Sequence, residues 1–209
     1  MRTIKKCLLR ISELPETEQQ KIIDNHRSIN TENTDWYEPT LEEFAQSMHL
    51  IGADITTDNI RFDLYHNSCW FRAVINTKLM VPILGNKFRP LLLLDDLPWV
   101  VIMPDDHRDR MTITGPKPLE IDDEDPLKST VLRAQFGNTT PEDLWDELTE
   151  DILDFCKDSA KKLLVRLREE SEWLESDESI KDTLESNDYE FEYPEQTVMI
   201  WNKSKEESK

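Results

Sequence analysis

The chain has 209 residues with 25 basic against 44 acidic side chains, a formal charge of −19, and only four glycines. A field of that sign repels phosphates and anionic membrane surfaces, which argues against direct nucleic-acid binding and membrane adsorption and favours partners with basic surfaces. The scarcity of glycine argues against phosphate-cradling loops, and three scattered cysteines, Cys7, Cys69 and Cys156, without a C-x-x-C pair argue for a reducing compartment and against a disulfide framework or structural zinc.

The N-terminus, Met1-Arg2-Thr3-Ile4-Lys5-Lys6, lacks the apolar run of a signal peptide. No stretch approaches the roughly 20 apolar residues of a membrane span, so a cytoplasmic protein is expected. Thr3 to Ile11 reads as a strand. Ser12 to Arg27 reads as a helix with Leu14, Ile22 and Ile23 inward and His26 near its C-terminal end, and Ser28 to Glu38 as a polar loop holding Trp36 and Tyr37. Thr40-Leu41-Glu42-Glu43 has the form of a capping box. It predicts a helix that buries Leu41, Phe44, Ala45, Met48 and Leu50 and ends at Gly52. Ile60–Tyr65 and Cys69–Ile75 flank His66-Asn67-Ser68 as a β-hairpin with a three-residue loop. Leu91–Leu94 and Trp99–Met103 are two short apolar segments, the second a buried strand. Met111–Thr114 is another strand, and Glu120–Asp125 an acidic loop.

Thr140 to Glu192 dominates the chain. Residues 141–195 hold 20 acidic and 6 basic residues, −14 of the total −19. Thr140 is a fitting N-cap, Pro141 suits the first helical position, and Glu142 and Asp143 place negative charge at the positive end of the helix dipole. Leu144, Leu148, Ile152, Phe155, Leu163, Leu167 and Leu174 recur at helical spacing and predict one long amphipathic helix to Trp173. Its outer face carries Asp146, Glu147, Glu150, Asp151, Asp154 and Asp158, with only Lys157 against them in the first half. Like charges four apart, such as Asp146–Glu150 and Glu150–Asp154, each cost a few tenths of a kcal/mol in the free helix. Ser176 caps a second, short helix with Ile180 and Leu184 inward. Tyr189 and Phe191 alternate with Glu190 and Glu192 as a strand, and Thr197–Trp201 is a last strand after Pro194.

Candidate chemistry is sparse. Asp105-Asp106-His107-Arg108-Asp109 offers metal ligands but reads first as an exposed turn, and Asp122-Asp123-Glu124-Asp125 lacks the spaced ligands of a calcium loop. No catalytic residue, metal site or cofactor is expected. Cys69 lies near His66, but packing as a small hydrophobe is favoured over a nucleophilic role. Trp36, Trp70 and Trp99 are assigned to the core. Trp173, beside the acidic face, is a candidate interface anchor, because tryptophan is enriched in binding hot spots.

Leu167, Glu170, Leu174, Ser176, Asp177, Glu178 and Ile180 fit a pattern L-x-x-E-x-x-x-L-x-S-D-E-x-I, and Asn187, Tyr189 and Phe191 fit N-x-Y-x-F. Ile11-Ser12-Glu13-Leu14-Pro15-Glu16-Thr17-Glu18-Gln19-Gln20-Lys21-Ile22-Ile23, then Asn30 and Trp36-Tyr37, stand at the other end. Together these segments resemble an uncharacterised phage and plasmid protein family, some of whose members carry an antitoxin-like label. The segment from Thr77 to Asn138 has no counterpart in it. The resemblance implies a bacterial host cytoplasm and no established catalytic residues.

The expected fold is α+β: a small, mostly antiparallel sheet with packed helices and one long acidic C-terminal helix, in a single domain of residues 1–209 with 140–192 as an acidic helical module. The expected function is that of a phage or mobile-element accessory protein acting by protein–protein contact. It would be an acidic, nucleic-acid-mimicking inhibitor of a host defence or restriction factor. The partner-binding residues would be Glu142, Asp143, Asp146, Glu147, Glu150, Asp151, Asp154, Asp158 and Trp173. The alternative is an antitoxin-like regulator that neutralises one small protein partner; an enzyme with an unrecognised site ranks third.

Overall fold

Periodicity and capping resolve the chain into short strands and helices. In order these are β1 (Lys6–Arg10), α1 (Glu16–Asn25), α2 (Glu38–Leu50), β2 (Ala53–Asp54), β3 (Ile60–Asp63), β4 (Ser68–Phe71), β5 (Ala73–Ile75), α3 (Thr77–Leu84), β6 (Val100–Pro104), β7 (Met111–Thr114), α4 (Pro141–Leu174), α5 (Asp177–Ser186) and β8 (Glu190–Pro194). The computed structural model describes residues 6–32, 35–94, 97–105, 111–116, 130 and 134–194. The protein is α+β with small antiparallel sheets. Its chain clusters into two compact units: unit 1 is Met1–Trp36 with Glu169–Lys209, and unit 2 is Tyr37–Arg168.

Unit 1 joins the two ends of the chain. β1 pairs antiparallel with β8, Leu8 opposite Glu192 and Arg10 opposite Glu190. A two-stranded ribbon is marginal by itself, and the unit adds a buried cluster of Ile11, Ile23, Ile180 and Leu184, with Ile22, Ile29 and Phe191 packed against it. Ile180 and Leu184 sit one helical turn apart on α5, as their spacing predicts. Ser176 caps α5, its Oγ accepting from the Ser179 N–H at 3.2 Å. The helix ends on Asp188 in the left-handed region, φ 53°. The Tyr189 N–H donates to the Leu184 carbonyl at 3.0 Å and the Asp188 N–H to that of Glu185 at 3.1 Å, a pairing that usually places glycine there. The Asp188 carboxylate instead reaches Arg10 at 2.7 Å, tying the end of α5 to β1. The N-terminal helix starts later than the sequence suggests. A 3-10 turn covers Ile11–Glu13, and α1 begins only after Pro15.

Unit 2 holds the four-stranded sheet β2-β5-β6-β7 and the separate hairpin β3-β4. Phe71, Ile75, Met80, Phe88, Leu91, Ile102, Leu148 and Ile152 are fully buried in it. The hairpin register sets Asp63 opposite Ser68, so its loop has four residues, Leu64 to Asn67, rather than three. The run Cys69–Ile75 is two strands. It breaks at Arg72, whose N–H goes to the Asn59 carbonyl at 3.0 Å, and β5 then joins the larger sheet. α2 begins at Glu38, so Thr40 is buried inside it and is not its cap. Leu50, expected inward, is 84% exposed. It lies nine residues from Leu41, which at 3.6 residues per turn sets it on roughly the opposite face. Gly52 follows at φ 91°, and a Cβ there would meet that of Leu79 at 2.7 Å, so only glycine fits. The sequence gives no sign of α3, which Asn76 caps by accepting from the Lys78 N–H at 3.1 Å. Leu91–Leu94 is largely the end of a 3-10 segment, Asn86–Leu93. The Thr197–Trp201 strand lies outside the described residues.

Candidate interaction surfaces

Helix α4 opens as its sequence predicts. The Asp143 N–H donates to Thr140 Oγ1 at 3.0 Å, and the Thr140 hydroxyl donates back to Asp143 Oδ2 at 2.6 Å. Leu144, Trp145, Leu148, Ile152, Cys156, Ala160, Leu163, Leu164 and Leu167 form its buried stripe. Phe155 and Leu174, expected in that stripe, are half-buried at its margin.

Opposite the stripe, Glu142, Asp143, Asp146, Glu147, Glu150, Asp154 and Asp158 are exposed and Asp151 is half-buried. At about 100° per residue, these eight positions fill roughly half of the helix circumference. From Glu142 to Asp158 they extend along about 24 Å of axis, at 1.5 Å rise per residue.

The counter-charges differ from the sequence expectation of Lys157 alone. Lys87, from the 3-10 segment, reaches Glu147 at 2.5 Å and Asp151 at 3.1 Å, and its Nζ lies 4.5 Å from the Phe88 ring centroid. The Glu147 and Asp151 carboxylates hold the Lys87 ammonium above the ordinary lysine range. Lys157 pairs with Asp154 at 3.3 Å and Lys161 with Asp158 at 3.1 Å. The like-charge pairs Glu147–Asp151 and Asp154–Asp158 are therefore each bridged or flanked by lysine. Glu150 sits four residues from both Asp146 and Asp154, and among the described residues it has no ion pair. Among the described residues, three lysines, Lys87, Lys157 and Lys161, stand against these eight carboxylates.

Trp173 falls in the part of α4 that belongs to unit 1 and is 62% exposed. It lines a hollow of about 250 Å³ with Asn30, Asp182, Thr183 and Asn187. Trp173 stands out in the sequence but this hollow does not, because Asn30 lies 143 residues away along the chain. Trp99, assigned to the core, is 52% exposed, while Trp36 and Trp70 are half-buried.

Other candidate chemistry recedes. The His66 imidazole lies 2.7 Å from Asp63 rather than on the Cys69 sulfur. The His66 backbone N–H, and then its ring, hold the Asp63 carboxyl below its ordinary range. Burial pushes the Cys69 thiol up to about 12, and likewise that of Cys156, far from the depressed values of reactive thiolates. Among the described residues, no group of His, Cys, Asp and Glu is placed to hold a metal ion. Of the two acidic loops, only Asp105 is described. No helix among the described residues is long and apolar enough to cross a membrane.

The fold and this surface define a two-unit α+β protein with one strongly acidic helix face. No family model, no curated protein and no solved structure matches the chain.

Proposed function

We propose that the protein acts by protein–protein contact, with the exposed face of α4 as an acidic surface that occupies the basic groove of a nucleic-acid-binding host defence or restriction factor in a bacterial cytoplasm. One observation carries this reading: Glu142, Asp143, Asp146, Glu147, Glu150, Asp151, Asp154 and Asp158 share one arc of a single helix whose other face is buried. A helix presents such carboxylates in line at about 6 Å of rise per four residues, as a strand of nucleic acid presents its phosphates, and association should be fast and salt-sensitive. The like-charge contacts around Glu150 support the reading further, since a basic partner would relieve them. The phage and plasmid resemblance at the two ends of the chain supplies the setting.

The test is affinity capture from a bacterial lysate, with the wild-type chain and the Asp146→Asn, Glu150→Gln, Asp154→Asn chain as parallel baits, eluted by rising salt. A basic nucleic-acid-binding protein held by the wild type at low salt, released at high salt and not held by the variant is the expected result. Equal retention by both baits would place the interface elsewhere. A single small, non-basic partner would favour the antitoxin-like alternative.

A further inference from the structure

Hydrogen bonds within the wall of the hollow at Trp173 use part of its polar groups. Asn30 Nδ2 donates to the Leu174 carbonyl at 3.0 Å and to Ser179 Oγ at 3.1 Å. Thr183 Oγ1 donates to Asn30 Oδ1 at 2.8 Å. Asn187 Nδ2 donates to the Thr183 carbonyl at 2.8 Å. Because backbone carbonyls only accept, these contacts fix which end of each amide is nitrogen. Both N–H groups of Asn30, and one of the two on Asn187, are thus engaged.

Acceptors remain. Among the described residues, the Asp182 carboxylate takes part in no hydrogen bond or ion pair, and Asn187 Oδ1 accepts none. The third component is the indole of Trp173, 62% exposed beside them. A hollow that holds a carboxylate, an amide oxygen and an aromatic face in a strongly acidic chain suits a planar cation. A guanidinium has five N–H groups and no acceptor, is planar, stacks on indole and binds carboxylates. An anion would meet the Asp182 carboxylate and a repelling field. The volume, about 250 Å³, lies below the range of drug-sized sites and fits one side chain.

We propose that this pocket receives an arginine side chain of a basic protein partner. The inference rests on the reading of the chain as a binder of basic proteins, and it names the side chain that such a partner would bring to unit 1.

The test titrates N-acetyl-L-arginine amide into the full chain. It follows the Trp173 indole N–H and the Asn30 and Asn187 side-chain amides by heteronuclear NMR, with N-acetyl-L-glutamine amide as the neutral comparison. The expected result is saturable shifts confined to these signals, with half-saturation on the order of 1–10 mM for an isolated side chain. Affinity should fall at least tenfold in both Asp182→Asn and Trp173→Leu, two exposed positions, and the neutral probe should produce no saturable shift. Absence of saturation, equal binding by Asp182→Asn, or equal response to the neutral probe would overturn the proposal. The Asp146→Asn, Glu150→Gln, Asp154→Asn chain separates the two readings. Arginine binding retained there while captured protein is lost supports both. Arginine binding absent in every chain, with capture still dependent on α4, removes the pocket and leaves the α4 reading intact.

Discussion

Unit 1 and unit 2 reach a defined structure by different means. Unit 1 has a small apolar cluster, Ile11, Ile23, Ile180 and Leu184, assembled from segments more than a hundred residues apart. Directional polar bonds supply its alignment. Asn30 ties Leu174, Ser179 and Thr183 together, and Arg27 binds Asp24, Asp177 and the Glu175 carbonyl. Unit 2 has a larger core around Phe71, Phe88, Ile102 and Ile152. Burying one such side chain contributes about 1.5–3 kcal/mol, whereas a like-charge pair on a helix surface costs a few tenths. An element anchored by nine buried side chains, as α4 is, therefore tolerates an acidic outer face that a weakly anchored helix would not.

That contrast can be broken at several points. The largest loss is expected in the core of unit 2. Phe71 is fully buried and packs edge-on to Phe44 at 5.5 Å, so Phe71→Ala should cost about 3–5 kcal/mol in denaturant unfolding. A loss under about 1 kcal/mol would mean that this core is not the one that holds the unit. Next comes the polar alignment of unit 1. Asn30→Ala leaves buried Ser179 without its amide partner and should cost about 1–3 kcal/mol. Replacement by Asp, which accepts but does not donate as the amide does, should not restore stability at neutral pH. Thr140→Ala removes the cap of α4 and should cost about 1 kcal/mol; an unchanged melting temperature would place the start of the helix elsewhere. The smallest effect has the opposite sign. Glu150→Gln should stabilise the chain by about 0.2–0.5 kcal/mol for each like-charge pair relieved, and destabilisation would show that Glu150 has a structural partner.

Much of this was legible in the sequence wherever one local rule acted without competition. The capped start of α4, its apolar stripe, the Ser176 cap and the Met111–Thr114 strand all follow from local spacing. The misses have separate causes. In α3, Pro82 and a nearly continuous apolar run hide the helical period, and burial of Met80 and Val81 decides the conformation instead. Leu50 belongs by composition to the buried face of α2, but rotation about the helix sets it opposite Leu41. Lys87 could not be assigned to Glu147 and Asp151, nor Asn30 to Thr183, because both pairings depend on tertiary placement across long stretches of chain. The candidate acidic residues themselves were readable, being spaced at helical intervals within one helix. Their partial neutralisation was not.

The acidic face of α4 is proposed to serve a partner rather than solubility alone. The most direct measurement takes the protein captured at low salt and determines its affinity for the wild-type and the Asp146→Asn, Glu150→Gln, Asp154→Asn chains over a salt series, with unfolding of both chains measured alongside. The variant should fold as stably as the wild type or more so, while its affinity drops and its dependence on salt flattens. Equal affinity and an equal salt slope in the two chains would contradict it.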